Sequence, residues 1–286
     1  MVLVGFLFIG PALGLGVSSL LYDGNLMEEL LKSPPDPSIF LPLMVTQGVT
    51  SLIGLIIIPI LYLKFSEHKS IVPFFQRERD ITKVFVIIPL LGVSFLIAIS
   101  PITEWNMTFQ FPEVLREFGS WARTQEDKMM EMTQLLTHFD STVEFILGLV
   151  VIAVLPGIGE ELVFRGLIQN ELWRGSKNIH VAIWLSAFLF SAIHLQFFGF
   201  LPRLFLGALF GYLYYWSGNL LIPMAAHFFH NGFTLSMIYL YNQGAIGVNI
   251  DSEESAPLFL VAVCGVVTFA LLYFFRKQYT PDPHPS

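Results

Sequence analysis

Two adjacent carboxylates, Glu160 and Glu161, lie in an apolar stretch of this 286-residue sequence and could do chemistry there. Glu161 and Arg165 are four positions apart, so on a helix they share one face and can form an ion pair. Glu160 is rotated by about 100° from Glu161, and its own helix offers no cation on that face. The spacing therefore predicts Glu161 as the partner of Arg165 and Glu160 as a general base.

Two further apolar stretches hold polar side chains that could complete such a site. His227 and Asn231 are four positions apart, so both project from one face of a helix. His194 follows the turn at 175–178 by about as many residues as Glu160 precedes it. At ~1.5 Å rise per residue, antiparallel helices would bring His194 and Glu160 to a similar depth. The sequence thus predicts one cluster of carboxylate, imidazole and amide groups.

The same residue types also have structural interpretations. Taken alone, His194 could be a core histidine whose ring nitrogens are hydrogen-bonded within the protein, and this interpretation is favoured for His230. Asn231 could bridge two helices through its amide. Arg203 is interpreted most simply as a residue that snorkels to a membrane face or anchors a loop there. For Glu160 the functional interpretation is favoured, because an unpaired charge inside a membrane is costly.

The elements that carry these residues are apolar enough for a membrane. Hydrophobic residues make up 54% of the sequence and charged residues 13%, about half the charged share of a soluble domain. The apolar segments near spanning length run approximately over 2–22, 40–65, 81–102, 143–172, 180–195, 200–217, 219–241 and 257–275. The predicted fold class is an all-α, polytopic membrane helix bundle with about eight transmembrane helices.

The long connection at 104–140 differs from the apolar segments because it carries charges of both signs. Its apolar residues recur at the three- and four-residue steps of a helix: Val114, Leu115, Phe118, Trp121 and Ala122. This spacing predicts an amphipathic helix that lies at the membrane interface.

Basic residues occupy alternate loops and predict the orientation of the bundle. They are Lys64, Lys69, Arg77, Arg79 and Lys83, then Arg174 and Lys177, then Arg276 and Lys277. The positive-inside rule makes these loops and both termini cytoplasmic. The opposite loops around Glu28 and Glu253 are acidic. We predict an integral multi-pass protein of the cell (plasma) membrane whose partner is the lipid bilayer. No basic block indicates nucleic-acid binding.

Three short motifs in the polar segments resemble those of one known family. Residues 160–165 match EExxxR, residues 190–194 match FxxxH, and residues 227–231 match HxxxN. In this order, on three membrane helices, they resemble the CPBP family of intramembrane proteases, also called the Abi family. That family includes the CAAX prenyl endopeptidases of the Ras-converting type. The chain then divides into N-terminal transmembrane helices with the amphipathic connection (1–142), a catalytic core (143–241), and a last transmembrane helix with a disordered tail (242–286).

The resemblance implies an endopeptidase in which Glu160 is the base and His194 helps to hold a water molecule. It implies that His227 and Asn231 stabilise the oxyanion, as hydrogen-bond donors do in acyl transfer. Glu161 and Arg165 would support the site. The family has also been described as metal-dependent, and zinc would then find His194 and His227 as ligands. The sequence lacks HExxH, so water activation without a tightly held metal or other cofactor is favoured.

Substrate and activity class remain open at this level. The expected partner is a peptide or protein substrate, with a membrane-associated or prenylated peptide as one option. A paired-aspartate mechanism is excluded because no Asp lies in an apolar segment, and the single cysteine, Cys264, has no histidine in its own segment. The alternative is a non-catalytic immunity or scaffold protein that retains the polar cluster. A proton-coupled transporter would be expected to show matching halves, and none is evident.

Overall fold

In the computed structural model, nearly all of the described part of the chain forms apolar helices that lie side by side. That part comprises residues 2–22, 26–30, 32, 34–75, 82–247 and 254–279, and it contains no β-strand. The basic residues Arg77 and Arg79, the acidic Glu253 and the predicted tail after Tyr279 lie outside the described residues.

The main helices, numbered in chain order, follow the predicted segments closely. They are α1 (Gly5–Ser18), α2 (Leu26–Glu29), α3 (Pro37–Ser66), α4 (Val84–Met107), α5 (Arg116–Thr137), α6 (Thr142–Ser176), α7 (Ile179–Ala192), α8 (Phe200–Ser217), α9 (Leu221–Asn242) and α10 (Leu258–Tyr279). Short helical turns occur at Val2–Val4, Val72–Phe75 and Glu113–Leu115. Each of the eight predicted apolar segments forms a helix, so the all-α membrane bundle is confirmed.

The helices differ in how far they can reach across a bilayer. In the described part of the chain, α3, α4, α6 and α10 are long and apolar enough to cross a membrane. By contrast, α7 has 14 residues and is about 21 Å long, less than the ~30 Å of a hydrocarbon core. On its own, α7 is therefore too short to span a hydrocarbon core.

The helix α6 is the centre of the bundle and the element on which Glu160 and Glu161 lie. Its π-helical stretches, Leu149–Val154 and Leu162–Gln169, flank these two carboxylates, and similar stretches occur in α1 and α3. A Cβ atom on Gly157 would lie 3.1 Å from the backbone nitrogen of Phe228 in α9, so these two backbones are close. This close approach brings the polar face of α9 against the carboxylates of α6.

The amphipathic connection forms the predicted helix, α5. Phe118 and Trp121 are exposed on it, whereas Ala122 and Glu126 are buried against the bundle. The helix is therefore confirmed, and its position at the membrane interface stays a prediction. The buried carboxylate of Glu126 was not expected from the pattern.

Candidate active site

The ion pair predicted in α6 is present and is completely buried. Arg165 Nη1 donates to Glu161 Oε1 at 2.7 Å, with exposed fractions of 1% and 0% for the two side chains. Arg165 Nη2 donates at 2.8 Å to the carbonyl oxygen of Gly207 in α8. A Cβ atom on Gly207 would lie 3.1 Å from Ala187 Cβ, so α8 packs closely on α7 at the same level. The pair therefore joins α6 to the α7–α8 hairpin.

A second donor to the same carboxylate comes from His227 in α9. His227 Nδ1 lies 2.7 Å from Glu161 Oε1, the oxygen that also accepts from Arg165. The His227 ring is buried, and its other nitrogen, Nε2, lies 3.8 Å from Glu160 Oε2. Glu161 thus orients His227 in addition to neutralising Arg165. Sequence spacing could not show this contact, because the two residues are 66 positions apart.

Glu160 is more accessible than its neighbour Glu161 and is held less firmly. Its side chain is 13% exposed, and in the described part of the chain it makes no hydrogen bond to another side chain. The 3.8 Å distance from Glu160 Oε2 to His227 Nε2 is too long for a hydrogen bond. A carboxylate that is held this weakly and is partly exposed can accept a proton from water.

His194 lies two residues beyond the end of α7 and faces the same site. Its Nδ1 lies 2.8 Å from the carbonyl oxygen of Phe190, so Nδ1 carries a proton and Nε2 is left free. The Phe190 ring lies 5.4 Å from the His194 ring and 5.9 Å from the His227 ring, so the two imidazoles lie on either side of it. His194 is also within electrostatic range of Glu160.

The residue after His194 has an unusual backbone conformation. Leu195 has φ 54°, in the left-handed region that costs a residue other than glycine roughly 1–2 kcal/mol. Strain of this kind persists only where surrounding contacts fix the conformation, and it is common near active sites.

Asn231 lies one helical turn beyond His227 on α9 and bridges to α6. Its Nδ2 donates at 3.1 Å to the carbonyl oxygen of Ile152, in a π-helical stretch of α6. The helix-bridging interpretation thus accounts for one N–H of the amide. The second N–H makes no hydrogen bond to the described residues and is available to a ligand.

Aromatic rings pack against the imidazole and guanidinium groups of the site. The Phe190 ring centre lies 5.4 Å from the His194 ring and 5.9 Å from the His227 ring, and the Arg165 guanidinium lies 4.7 Å from it. Phe210 stacks on the His227 ring at 5.1 Å. Phe190 belongs to the FxxxH motif but had no predicted role, and no sequence signal could have selected Phe210.

The two remaining polar candidates have structural surroundings. His230 lines a small apolar cavity with Ile88 and Leu91 of α4, which agrees with the structural interpretation. Arg203 binds the loop after His194: its Nη1 donates to Gln196 Oε1 at 3.1 Å and its Nη2 to the Gln196 carbonyl oxygen at 3.0 Å. These contacts support the interpretation of Arg203 as a loop-anchoring residue.

The arrangement does not fit a resident zinc ion. A catalytic zinc site needs three protein ligands. Across the described ranges, no three His, Cys, Asp or Glu side chains are grouped so that they could hold a metal ion.

The residues of this site lie in the part of the chain that is similar to a known protein family. Residues 142–233 match the family model described as "Type II CAAX prenyl endopeptidase Rce1-like". The chain is also similar to the uncharacterized protein YpbD of Bacillus subtilis (strain 168), with 30% identity over 163 residues, which is 54% of this chain and 73% of that protein. No solved structure matches significantly. The matched range contains every residue of the predicted site: Glu160, Glu161, Arg165, His194, His227 and Asn231.

Proposed function

The chain belongs to the Rce1-like family of type II CAAX prenyl endopeptidases, and on that basis we propose that it hydrolyses peptide bonds inside a membrane. One observation carries the proposal. Glu160 of α6 lies 3.8 Å from His227 of α9, and Phe190 of α7 contacts the rings of both His227 and His194, beside a buried Arg165–Glu161 ion pair. Charged groups in such surroundings are costly, so their convergence favours a function.

Glu160 is the proposed general base. A water molecule held between Glu160 and the free Nε2 of His194 attacks the carbonyl carbon of the substrate peptide bond, and Glu160 takes its proton. The same proton then passes from Glu160 to the leaving nitrogen as the C–N bond breaks. The products are a carboxylic acid, which keeps the second proton of the water and loses it on release into solvent, and an amine, and Glu160 returns to its ionised form.

His227 and Asn231 are the proposed oxyanion donors. His227 already donates from Nδ1 to Glu161, so donation from Nε2 requires a ring that is protonated on both nitrogens. The carboxylates of Glu161 and Glu160 lie on the two sides of that ring and balance its charge. The second N–H of Asn231 supplies the other donor. Donors of this kind stabilise the charge that develops on the tetrahedral intermediate.

We propose a prenylated or otherwise membrane-associated peptide as the substrate. The matching family is named for CAAX prenyl endopeptidases, and a lipid chain would hold such a peptide at the bilayer where the site lies.

The basic loops support cytoplasmic termini in a cell membrane.

Two experiments on protein reconstituted in liposomes test the proposal. In the first, solubilised host membrane proteins are incubated with the wild type or with Glu160→Gln, and new N termini are labelled and identified by mass spectrometry. In the second, a quenched fluorescent farnesylated peptide that ends in a CAAX sequence is compared with its unprenylated form. We expect new N termini and peptide cleavage with the wild type alone. The same N termini with both proteins, or none with either, would support the non-catalytic alternative.

A further inference from the structure

The loop at 195–199, which joins α7 to α8, needs protein partners for its polar groups. Phe198 in this loop is buried, and the loop packs against α5 and the end of α4. Buried backbone N–H and C=O groups are costly unless they are hydrogen-bonded. The residues that supply these partners therefore determine the position of the loop, and with it the position of His194 at its start.

A buried carboxylate on the amphipathic helix α5 supplies two of these partners. Glu126 is 5% exposed, although most of the other charged residues of α5 face outward. Its Oε1 accepts from Gln196 Nε2 at 3.1 Å, and its Oε2 accepts from the backbone nitrogen of Phe198 at 3.1 Å. Both oxygens of Glu126 thus bind the loop, and they do so within four residues of His194.

The contacts of Glu126 continue towards the proposed base through Arg203. Gln196 accepts from Arg203 through its side chain and its backbone carbonyl, at 3.1 Å and 3.0 Å. The side chains of Glu126, Gln196 and Arg203 therefore form a chain of hydrogen bonds from α5 to the first turn of α8. Arg203 is also within electrostatic range of Glu160.

Other contacts hold the far side of the same loop. Asn106 at the end of α4 donates to the Phe197 carbonyl oxygen at 3.2 Å and accepts from the Leu201 nitrogen at 2.9 Å. These contacts of Asn106 bind residues at least two positions after Leu195, the residue with left-handed backbone that directly follows His194. The contacts of Glu126 are closer to that strained position, since Gln196 adjoins Leu195.

We propose that Glu126 is a positioning residue: by holding the loop at 195–199, it fixes the His194 ring beside Glu160. This inference rests on the proposed function, because it assigns Glu126 a role in the water-activating step. It also makes α5 part of the active site, although α5 lies outside the range that matches the family.

The first test is a double-substitution cycle on the cleavage of the farnesylated CAAX peptide. Glu126→Gln leaves only one acceptor oxygen for two donors, so we expect kcat to fall about tenfold and KM to change less than about twofold. Gln196→Glu places two carboxylates together and should lower kcat as well.

The double variant Glu126→Gln/Gln196→Glu again pairs each donor with an acceptor: the new amide at 126 accepts from Phe198 and donates to position 196. The new carboxylate at 196 faces Arg203, and we expect kcat to return to within about threefold of the wild type.

Asp127→Asn is the matched control. It removes the same charge from the adjacent position of α5, where the side chain is exposed. We expect it to cleave the peptide at the wild-type rate.

The second test reports on the loop without using activity. Cys264 is the only cysteine, so Cys264→Ser/Leu195→Cys offers one site for a nitroxide label at an exposed position next to His194. We expect Glu126→Gln to make the label more mobile in its electron spin resonance spectrum. Asp127→Asn and the double variant at 126 and 196 should give the spectrum of the parent protein.

The two tests separate failure of this inference from failure of the proposed function. If the wild type cleaves the peptide and Glu160→Gln does not, an unchanged kcat and an unchanged spectrum for Glu126→Gln would overturn the positioning role. Equal losses in Glu126→Gln and in the double variant would also overturn it. If the wild type cleaves nothing, the proposed function fails, and the label spectra alone decide whether Glu126 holds the loop.

Discussion

Glu161→Gln should destabilise the protein far more than the same change at the adjacent Glu160. The substitution keeps the shape of the side chain and removes the negative charge. Arg165, which is 1% exposed, then has no carboxylate in contact with its guanidinium, and His227 loses the charged acceptor of its Nδ1. Removal of one partner from a buried ion pair costs about 3–5 kcal/mol of the free energy of unfolding. Glu160 is more accessible and makes no hydrogen bond to another side chain in the described ranges, so Glu160→Gln should cost less than about 1 kcal/mol.

The assay is thermal unfolding in detergent, followed by tryptophan fluorescence. For a chain of this size each kcal/mol lowers Tm by about 2–4 °C, so Glu161→Gln should lower Tm by roughly 6–20 °C. A matched control exists on the same helix. Glu171 and Arg174 form an ion pair at 2.6 Å, but both side chains are more than 60% exposed. Glu171→Gln should therefore change Tm by no more than about 2–4 °C.

A double variant tests the cause of the loss. Glu161→Gln/Arg165→Met removes both buried charges, and it should recover part of the stability lost in Glu161→Gln, because an uncompensated buried cation is the main cost. Equal Tm values for Glu160→Gln and Glu161→Gln would refute the assignment of the two carboxylates. A double variant less stable than Glu161→Gln would refute the electrostatic explanation.

Three further predictions concern topology, the oxyanion donors and metal. Reporter fusions at Ser252 and Ser286 should report opposite membrane sides, since the basic loops predict cytoplasmic termini, and the same side for both would contradict that orientation. Asn231→Ala should lower kcat by about 10²–10³-fold with a smaller change in substrate binding. A change in KM alone would show that Asn231 is not an oxyanion donor and only bridges two helices through the carbonyl oxygen of Ile152. Protein treated with chelators should keep its activity and contain no stoichiometric zinc; activity lost on chelation and restored by zinc would make His194 and His227 metal ligands.

The sequence predicted those parts of the structure that depend on local patterns. Runs of apolar residues predicted each helix that carries the site, because hydropathy over about 20 residues is a property of the segment itself. The Glu161–Arg165 pair was predicted because both residues lie on one helix at a fixed spacing. The amphipathic helix α5 was predicted for the same reason, from the spacing of its apolar residues.

The parts that the sequence did not predict depend on contacts between distant segments. His227 binds Glu161 across 66 positions, and Glu126 binds Phe198 across 72 positions, so no periodicity relates them. Glu126 also lies in a helix rich in charge, where one buried carboxylate cannot be distinguished by composition. Ala122 and Glu126 are four positions apart on the buried face, and that spacing was the one available signal.

The most direct test of the account is single-turnover cleavage of the farnesylated CAAX peptide by wild type and by Glu160→Gln. The two proteins are compared at equal concentration, after a thermal unfolding measurement shows that their Tm values are similar. The account predicts that Glu160→Gln binds the peptide with a similar Kd and cleaves it at least about 10²-fold more slowly, because the amide cannot take the proton of water. Cleavage by Glu160→Gln at the wild-type rate would contradict the central claim that Glu160 is the base.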